Sequence, residues 1–294
     1  MKEGIYMTLQ QFEVFVQVAK TGSFTKAGEN LSLTQSAISH VISSFENELG
    51  FKLLYRNRSG ISITTEGKRI FEHALGILNK TELMKQEAKS ILGIESGVLK
   101  VGCFPSASCK ILPDIILNYE TKYPKIELKI FEGNYDEIEE WVINGTVDLG
   151  FSASCSKNLN FIPLWKDNLV AIVKKDHPLS LKKSISIKEI QEEPYIMPKS
   201  GCDLLIKDIF KENSVEPNIR FEIEDNNAIL AMVSRGLGIS IVPEMVLSFN
   251  SFELDIIKIT PNYFRTIGIL LKAYDSASPA AVAFIKELKK EIEN

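Results

Sequence analysis

The sequence predicts an α+β chain in two parts. A helical N-terminal third, closed by a hairpin and one long helix, precedes a larger portion in which strands alternate with helices. Three observations carry this. Apolar residues step by three and four through most of the first ninety positions. A Gly-Ile-Glu-Ser-Gly stretch at 93–97 then interrupts the pattern. Beyond it, short runs rich in Val, Ile and Leu alternate with amphipathic segments, the rhythm of a parallel-rich α/β fold. The 294 residues also fit about two domains at ~150 residues each. The expected division is 1–64, 65–96 and 97–294.

Leu9, Phe12, Val16 and Ala19 share one face of a helix over 9–20. Gly22 is placed to end it, and Ser23 to cap a short helix over 24–31 that buries Phe24, Ala27 and Leu31. Thr34 caps a third helix reaching about residue 49, with the stripe Ile38, Ile42, Phe45 and Leu49, and Gly50 stops it. Runs 51–56 and 60–64, joined by Asn57-Arg58-Ser59, read as a hairpin. A proline-free helix follows over 65–92. Its positions Ile70, Ala74, Ile77, Thr81, Met84, Ala88 and Ile91 alternate spacings of four and three. That is a coiled-coil seam broken by one polar Thr81, and it assigns Ile70, Ala74, Ile77, Met84, Ala88 and Ile91 to a dimer contact.

In the second part the expected strands are 98–103, 126–131, 147–151, 169–173, 219–223, 239–242 and 266–271. The expected helices are 109–123, 135–144, 202–212, 226–235 and 279–292. Gly236-Leu237-Gly238 lacks a third glycine and precedes a strand, so it reads as a helix end and turn rather than a nucleotide loop.

Two helices joined by a tight turn and followed by a hairpin make a winged helix-turn-helix. The second helix of that motif brings its N-terminal residues to base edges in the major groove of double-stranded DNA. Opposite the apolar stripe of the third helix lie Gln35, Ser36, Ser39, His40 and Ser43, all hydrogen-bonding groups. Gln35 suits a bidentate pair with adenine. Thr34 and the free N–H groups of the first turn suit a phosphate. Lys52, Arg56 and Arg58 place cations in the wing, where no acid lies between Gly50 and Thr65.

The runs Ser23-Phe24-Thr25-Lys26-Ala27, Gln35-Ser36-Ala37-Ile38-Ser39 and Glu46-Asn47-Glu48-Leu49-Gly50 resemble the DNA-binding domain of LysR-type transcriptional regulators. Leu53-Leu54-Tyr55-Arg56 and Thr64-Thr65-Glu66-Gly67 resemble that family's wing and the start of its linker helix. The resemblance continues through the α/β part. Three departures stand out: Gly28 where the family usually has alanine, Ser36 for a common proline, and His40 where arginine or lysine is frequent. The last two fall on the reading face and bear on which bases are read. Residues 1–6 precede the family's usual start, which makes Met7 a second candidate initiator.

The resemblance implies a two-lobed, periplasmic-binding-protein-like effector domain, lobe I being about 98–163 and 268–294 and lobe II about 164–267. It also implies dimers pairing further into tetramers, and RNA polymerase as a partner if the output is activation. Ligands in open α/β sheets sit beyond the carboxyl ends of strands. That rule selects Cys103, Pro105, Ser106 and Ser108, with Asn134, Ser152 and Ser154, as the first lobe's effector-binding residues. Lys199, Ser200, Gly201, Cys202 and Asn226 are the second lobe's. Serine-rich helix starts with one lysine suit a small polar or anionic metabolite. Cys103, Cys155 and Cys202 all fall at or beside these ends, which raises a thiol-sensing role as a hypothesis.

Composition narrows the alternatives. Cys103, Cys109, Cys155 and Cys202 form no CxxC, and His40, His73 and His177 are scattered, so no metal site or cofactor is expected. No histidine sits near a nucleophile motif, which argues against a hydrolase. No apolar run nears the ~18 residues of a membrane span, and the start lacks a signal-peptide core, so the cytoplasm is the expected compartment. Net charge is −4, but unevenly distributed: residues 1–95 hold 11 Lys+Arg and 10 Asp+Glu, and residues 96–294 hold 23 against 28. The alternative from a different class is a cytoplasmic solute-binding protein whose first ninety residues are an interaction module. The missing signal peptide and the polar reading face argue against it.

Overall fold

The computed structural model describes residues 6–57, 60–91, 96–154, 159–199, 201–248, 251–274 and 277–293. It divides into two compact units, Met1–Ile94 with Asn144–Thr146, and Glu95–Ile143 with Val147–Asn294.

In the first unit, α1 (Leu9–Thr21) opens on a capping box. The Thr8 hydroxyl accepts the Gln11 N–H while the Gln11 side chain accepts the Thr8 N–H at 2.7 Å. Gly22 ends the helix at φ 62°, a backbone state that costs glycine nothing. Ser23 caps α2 (Phe24–Leu31), and Thr34 caps α3 (Gln35–Leu49), which Gly50 terminates at φ 80°. The apolar faces meet in one core. Phe45 stands edge-on to Phe12 and Phe15, with ring centroids 5.6 and 5.9 Å away, and Ile38, Ile42 and Leu53 are fully enclosed. Each such side chain contributes roughly 1.5–3 kcal/mol by burial. Gly28 is dictated by the α2–α3 turn: a Cβ there would lie 2.5 Å from the Leu33 carbonyl oxygen.

β1 (Leu54–Asn57) and β2 (Gly60–Ile63) pair antiparallel as the wing, with Leu54 opposite Ile63. Arg58 lies outside the described residues. α4 (Thr65–Ile91) follows, and here the expected seam divides. Ala74 is buried in the unit's own core and Ile70 is half-buried against it. Ala74 is therefore corrected from dimer contact to domain packing, because the core of α1–α3 lies alongside the first turns of α4, while Ile70 keeps part of its surface exposed. Ile77, Met84 and Ile91 are 40%, 66% and 77% exposed, and Ala88 is exposed with them.

The second unit is built on a twisted sheet ordered β4-β3-β5-β12-β6-β11-β7, with β10 also paired to β6. β3 (Gly97–Cys103) runs parallel to β4 (Ile126–Glu132) and to β5 (Leu149–Ser152). The expected helix over 109–123 is two helices, α5 (Pro105–Lys110) and α6 (Leu112–Lys122), and α7 (Tyr135–Asn144) follows β4. The larger departure is β6 (Asn160–Lys174), of which only 169–173 was anticipated. Its first half pairs with β12 (Phe264–Leu271), and its second half with β10 (Ser240–Pro243) and β11 (Leu254–Ile259).

One strand thus runs through two separate apolar cores. One contains Leu99, Val101, Phe151, Ile269 and Phe284, and the other Leu169, Ala171, Tyr195, Ile206 and Ile241. The β6–β12 ladder shifts register between Ile267 and Gly268. Pro163, which has no N–H to donate, lies there, and a Cβ on Gly268 would come within 2.4 Å of the Ile162 carbonyl oxygen. The second core also holds β7 (Ser184–Ile185), β8 (Pro194–Pro198) and α8 (Asp203–Glu212), while β9 (Asn218–Ile223) and α9 (Asn226–Ser234) pack in a further cluster around Val170, Ile172 and Val242. Gly236, at φ 74°, donates to the Val233 carbonyl, so the Gly-Leu-Gly stretch is the turn that ends α9. α10 (Pro279–Glu293) packs Phe284, Ile285 and Leu288 into the first core.

Candidate nucleic-acid interface and ligand cleft

The solvent face of α3 begins with Thr34, whose hydroxyl accepts the Ala37 N–H at 3.2 Å and meets Ser36 Oγ at 3.0 Å. Gln35, Ser36 and His40 are exposed, while Ser39 and Ser43 are half-buried. Arg56 reaches across from the wing. Its Nη2 donates to Ser39 Oγ at 3.3 Å, and its guanidinium stacks over the Phe24 ring at 4.6 Å. Wing and helix therefore present one surface. Lys52 is less free than its position implied, for its Nζ donates to Glu46 Oε2 at 2.7 Å. Glu46, which sequence reasoning missed, is only 4% exposed. Its other oxygen accepts the Leu53 and Leu54 N–H groups at 2.9 and 3.2 Å, which fastens the wing strand to α3.

In the second unit a cavity of about 710 Å³ opens where strand ends and helix starts converge. Of the residues the sequence singles out, Pro105, Ser106, Asn134, Ser154, Lys199, Gly201, Cys202 and Asn226 line it. Ser200 and Cys155 lie outside the described residues. Three expected residues do not line it. Cys103 is fully buried in the first core, because β3 ends with that side chain facing inward. Ser108 turns its hydroxyl back to the Phe104 carbonyl at 3.3 Å. Ser152 is fully buried and accepts the Ser154 N–H at 3.1 Å. Burial pushes the Cys103 thiol up to about 12 and the Cys202 thiol up to about 11, so neither is a thiolate at neutral pH.

At the base of the cavity sits a group no sequence pattern singled out. Arg265 Nε and Nη2 donate to Asp167 Oδ2 at 2.9 and 2.7 Å. Nη2 also donates to Ser106 Oγ at 3.2 Å, and Nη1 to the Tyr135 hydroxyl at 2.6 Å. Asp167 and Arg265 are each 6% exposed. Burial works against the Arg265 charge, but Tyr135 and Asp167 outweigh it and hold its pKa above the ordinary value. The second Asp167 oxygen accepts the Met245 N–H at 3.0 Å. Asp167, Met245 and Trp165 also line a second, more apolar cavity of about 420 Å³.

A helix-turn-helix with a polar reading face and a wing, and an α/β unit with a polar cleft, are now both placed. The sequence matches the family model described as bacterial regulatory helix-turn-helix protein, lysR family, over residues 9–68. It matches the LysR substrate binding domain over residues 93–293. The chain belongs to the LysR family. Among curated relatives of that family, the uncharacterized HTH-type transcriptional regulator YvbU of Bacillus subtilis is 34% identical over 289 residues, 97% of this chain and 99% of that one. Full-length CbnR complexed with its target DNA has a TM-score of 0.69 at 23% identity, covering 97% and 99% of the two chains. The effector binding domain of QuiR in complex with shikimate has a TM-score of 0.62 at 25% identity, covering 67% of this chain and 98% of that one. This LysR-family chain is therefore a transcriptional regulator with a DNA-binding and an effector-binding domain, which decides against the solute-binding alternative.

Proposed function

We propose that this regulator acts in the cytoplasm as a dimer joined along α4, with two α3 helices reading an inverted-repeat operator. The observation that carries this is the surface of Gln35, Ser36 and His40 held beside Arg56 through the Ser39 contact. Thr34 supports the helix start, Lys52 and Ser43 remain candidate contacts beside it, and Arg58 is a candidate on sequence alone. A 27-residue helix spans roughly 40 Å at 1.5 Å per residue, long enough for a coiled-coil contact through Ile77, Met84, Ala88 and Ile91. Two-fold pairing of the protein calls for a two-fold operator.

The cleft around Arg265, Tyr135 and Ser106 is the effector site in this reading. QuiR, whose effector binding domain was solved with shikimate, shares the fold and supports a small-molecule occupant. An effector shifts the regulator only by binding its two states unequally. Further pairing to tetramers, and contact with RNA polymerase for an activating output, belong to the same proposal. DNase footprinting on the region upstream of its own gene tests the core of it. A protected dyad is expected, and protection without two-fold symmetry would overturn the dimeric reading.

A further inference from the structure

The floor and the mouth of the cleft ask for opposite charges. At the floor the Arg265 charge is already met by Asp167, within 2.9 Å, so Arg265 is no receptor for a second anion. What the arrangement leaves over is two protons. Tyr135 and Ser106 both use an oxygen to accept from Arg265, and each keeps an O–H to donate. Neither donates it to an acceptor among the described residues, and both line the cavity. Tyr135 is buried, which pushes its hydroxyl up to about 12 and keeps the proton in place. This floor wants an acceptor oxygen.

The mouth is acidic. Glu132 ends β4 and Asp136 opens α7, both exposed, and neither makes an ion pair or side-chain hydrogen bond among the described residues. Asp203 turns to Lys207 at 3.0 Å, and Asp225 caps α9. Lys199 is the sole lining cation left to oppose them among the described residues. Ser106, Tyr135, Glu132 and Asp136 line one cavity of about 710 Å³, so a single small molecule can meet floor and mouth together.

We propose that the effector is a zwitterion of amino-acid type, its carboxylate on the Tyr135 and Ser106 hydroxyls and its ammonium toward Glu132 and Asp136. The inference rests on the cleft being the effector site. A carboxylate lacking the amine meets the acidic mouth without compensation. An amine lacking the carboxylate leaves two floor donors unpaired. Either loss is expected to cost about tenfold in affinity.

Thermal-shift and calorimetric titration of the full chain with three matched sets tests this: the common α-amino acids, the same skeletons without the amine, and the same skeletons without the carboxylate. At least one amino acid should raise the melting temperature and bind about tenfold more tightly than both of its matched analogues. Its binding should fall about tenfold in Tyr135→Phe and in Ser106→Ala, the second variant guarding against misfolding of the first. It should weaken severalfold in Glu132→Gln with Asp136→Asn, both at exposed positions. Tighter binding of a deaminated acid, or no stabilisation by any amino acid, overturns the proposed class. If a deaminated acid binds and responds to these variants, the cleft reading survives that failure. An amino acid that binds all variants equally well overturns the cleft as the site.

Discussion

Replacing Asp167 with asparagine removes the charge under Arg265 while changing almost no volume. The carboxylate is 6% exposed and accepts three hydrogen bonds, from Arg265 Nε at 2.9 Å, Arg265 Nη2 at 2.7 Å and the Met245 N–H at 3.0 Å. An amide has one acceptor oxygen for these two places, so its NH2 must face either the Met245 N–H or the guanidinium, and in both settings Arg265, itself 6% exposed, is left without a counter-charge. Breaking a buried pair from one side costs about 3–5 kcal/mol. For a unit of this size each kcal/mol moves the melting temperature by roughly 2–4 °C, so a fall of about 6–20 °C is expected. Both tryptophans, Trp141 and Trp165, lie in the second unit, and Trp165 is two residues from the substitution. Intrinsic fluorescence during a thermal scan therefore reads this unit rather than the DNA-binding one. The paired change Asp167→Leu with Arg265→Met leaves neither charge buried alone and should recover most of the loss. A single variant as stable as wild type, or a paired variant no better than the single, refutes the argument.

Three further outcomes follow from the same geometry. Arg56→Ala should weaken binding to all DNA sequences alike, while Gln35→Ala should relax preference at one position by about 1–3 kcal/mol, read by mobility shift on a set of single-base operator variants; equal loss on every sequence from Gln35→Ala removes it from base reading. Ile77→Asp with Met84→Asp should yield folded monomers by light scattering and circular dichroism, whereas Ala74→Asp should unfold the N-terminal unit, because only Ala74 is enclosed by its core. Stability of the second unit should fall as pH rises above about 9: Cys103, Cys202 and Tyr135 are raised by burial from 9.0, 9.0 and 10.0 to about 12, 11 and 12, so the unfolded chain releases these protons first. Their contribution is whole below the ordinary values and is lost through the raised ones; a melting temperature constant from pH 7 to about 10.5 contradicts it.

The DNA-binding unit is legible in the sequence because its signals are local. Thr34, Gly22 and Gly50 act through backbone groups within four residues, and the stripe of Ile38, Ile42 and Phe45 is set by the helical period. Glu46 escapes such a reading because its partners lie across the turn into the wing, on an element whose position the period of α3 does not give. The seam on α4 shows a related loss. Spacing says which residues share a face, but Ile70 and Ala74 meet their own core while Ile77 and Met84 do not, and only the packed structure separates them.

In the second unit the unread residues share one cause. The expected strands began at 169 and 266, and the paired charges Asp167 and Arg265 lie just before those starts. A charged residue at a strand's edge in sequence looks like the strand's end, because an isolated charge inside a sheet is costly. Here each supplies what the other lacks, 98 residues away, so both strands continue through the charges and register Arg265 opposite Asp167. The same pairing narrows the expected ligand, a small polar or anionic metabolite. Serines at helix starts pointed to a polar or anionic ligand, yet Ser108 and Ser152 are spent on backbone groups. Arg265, the strongest anion receptor nearby, is held by Asp167. What remains to recognise a ligand is two hydroxyl protons beneath a rim of carboxylates, and that combination selects for a molecule carrying both signs.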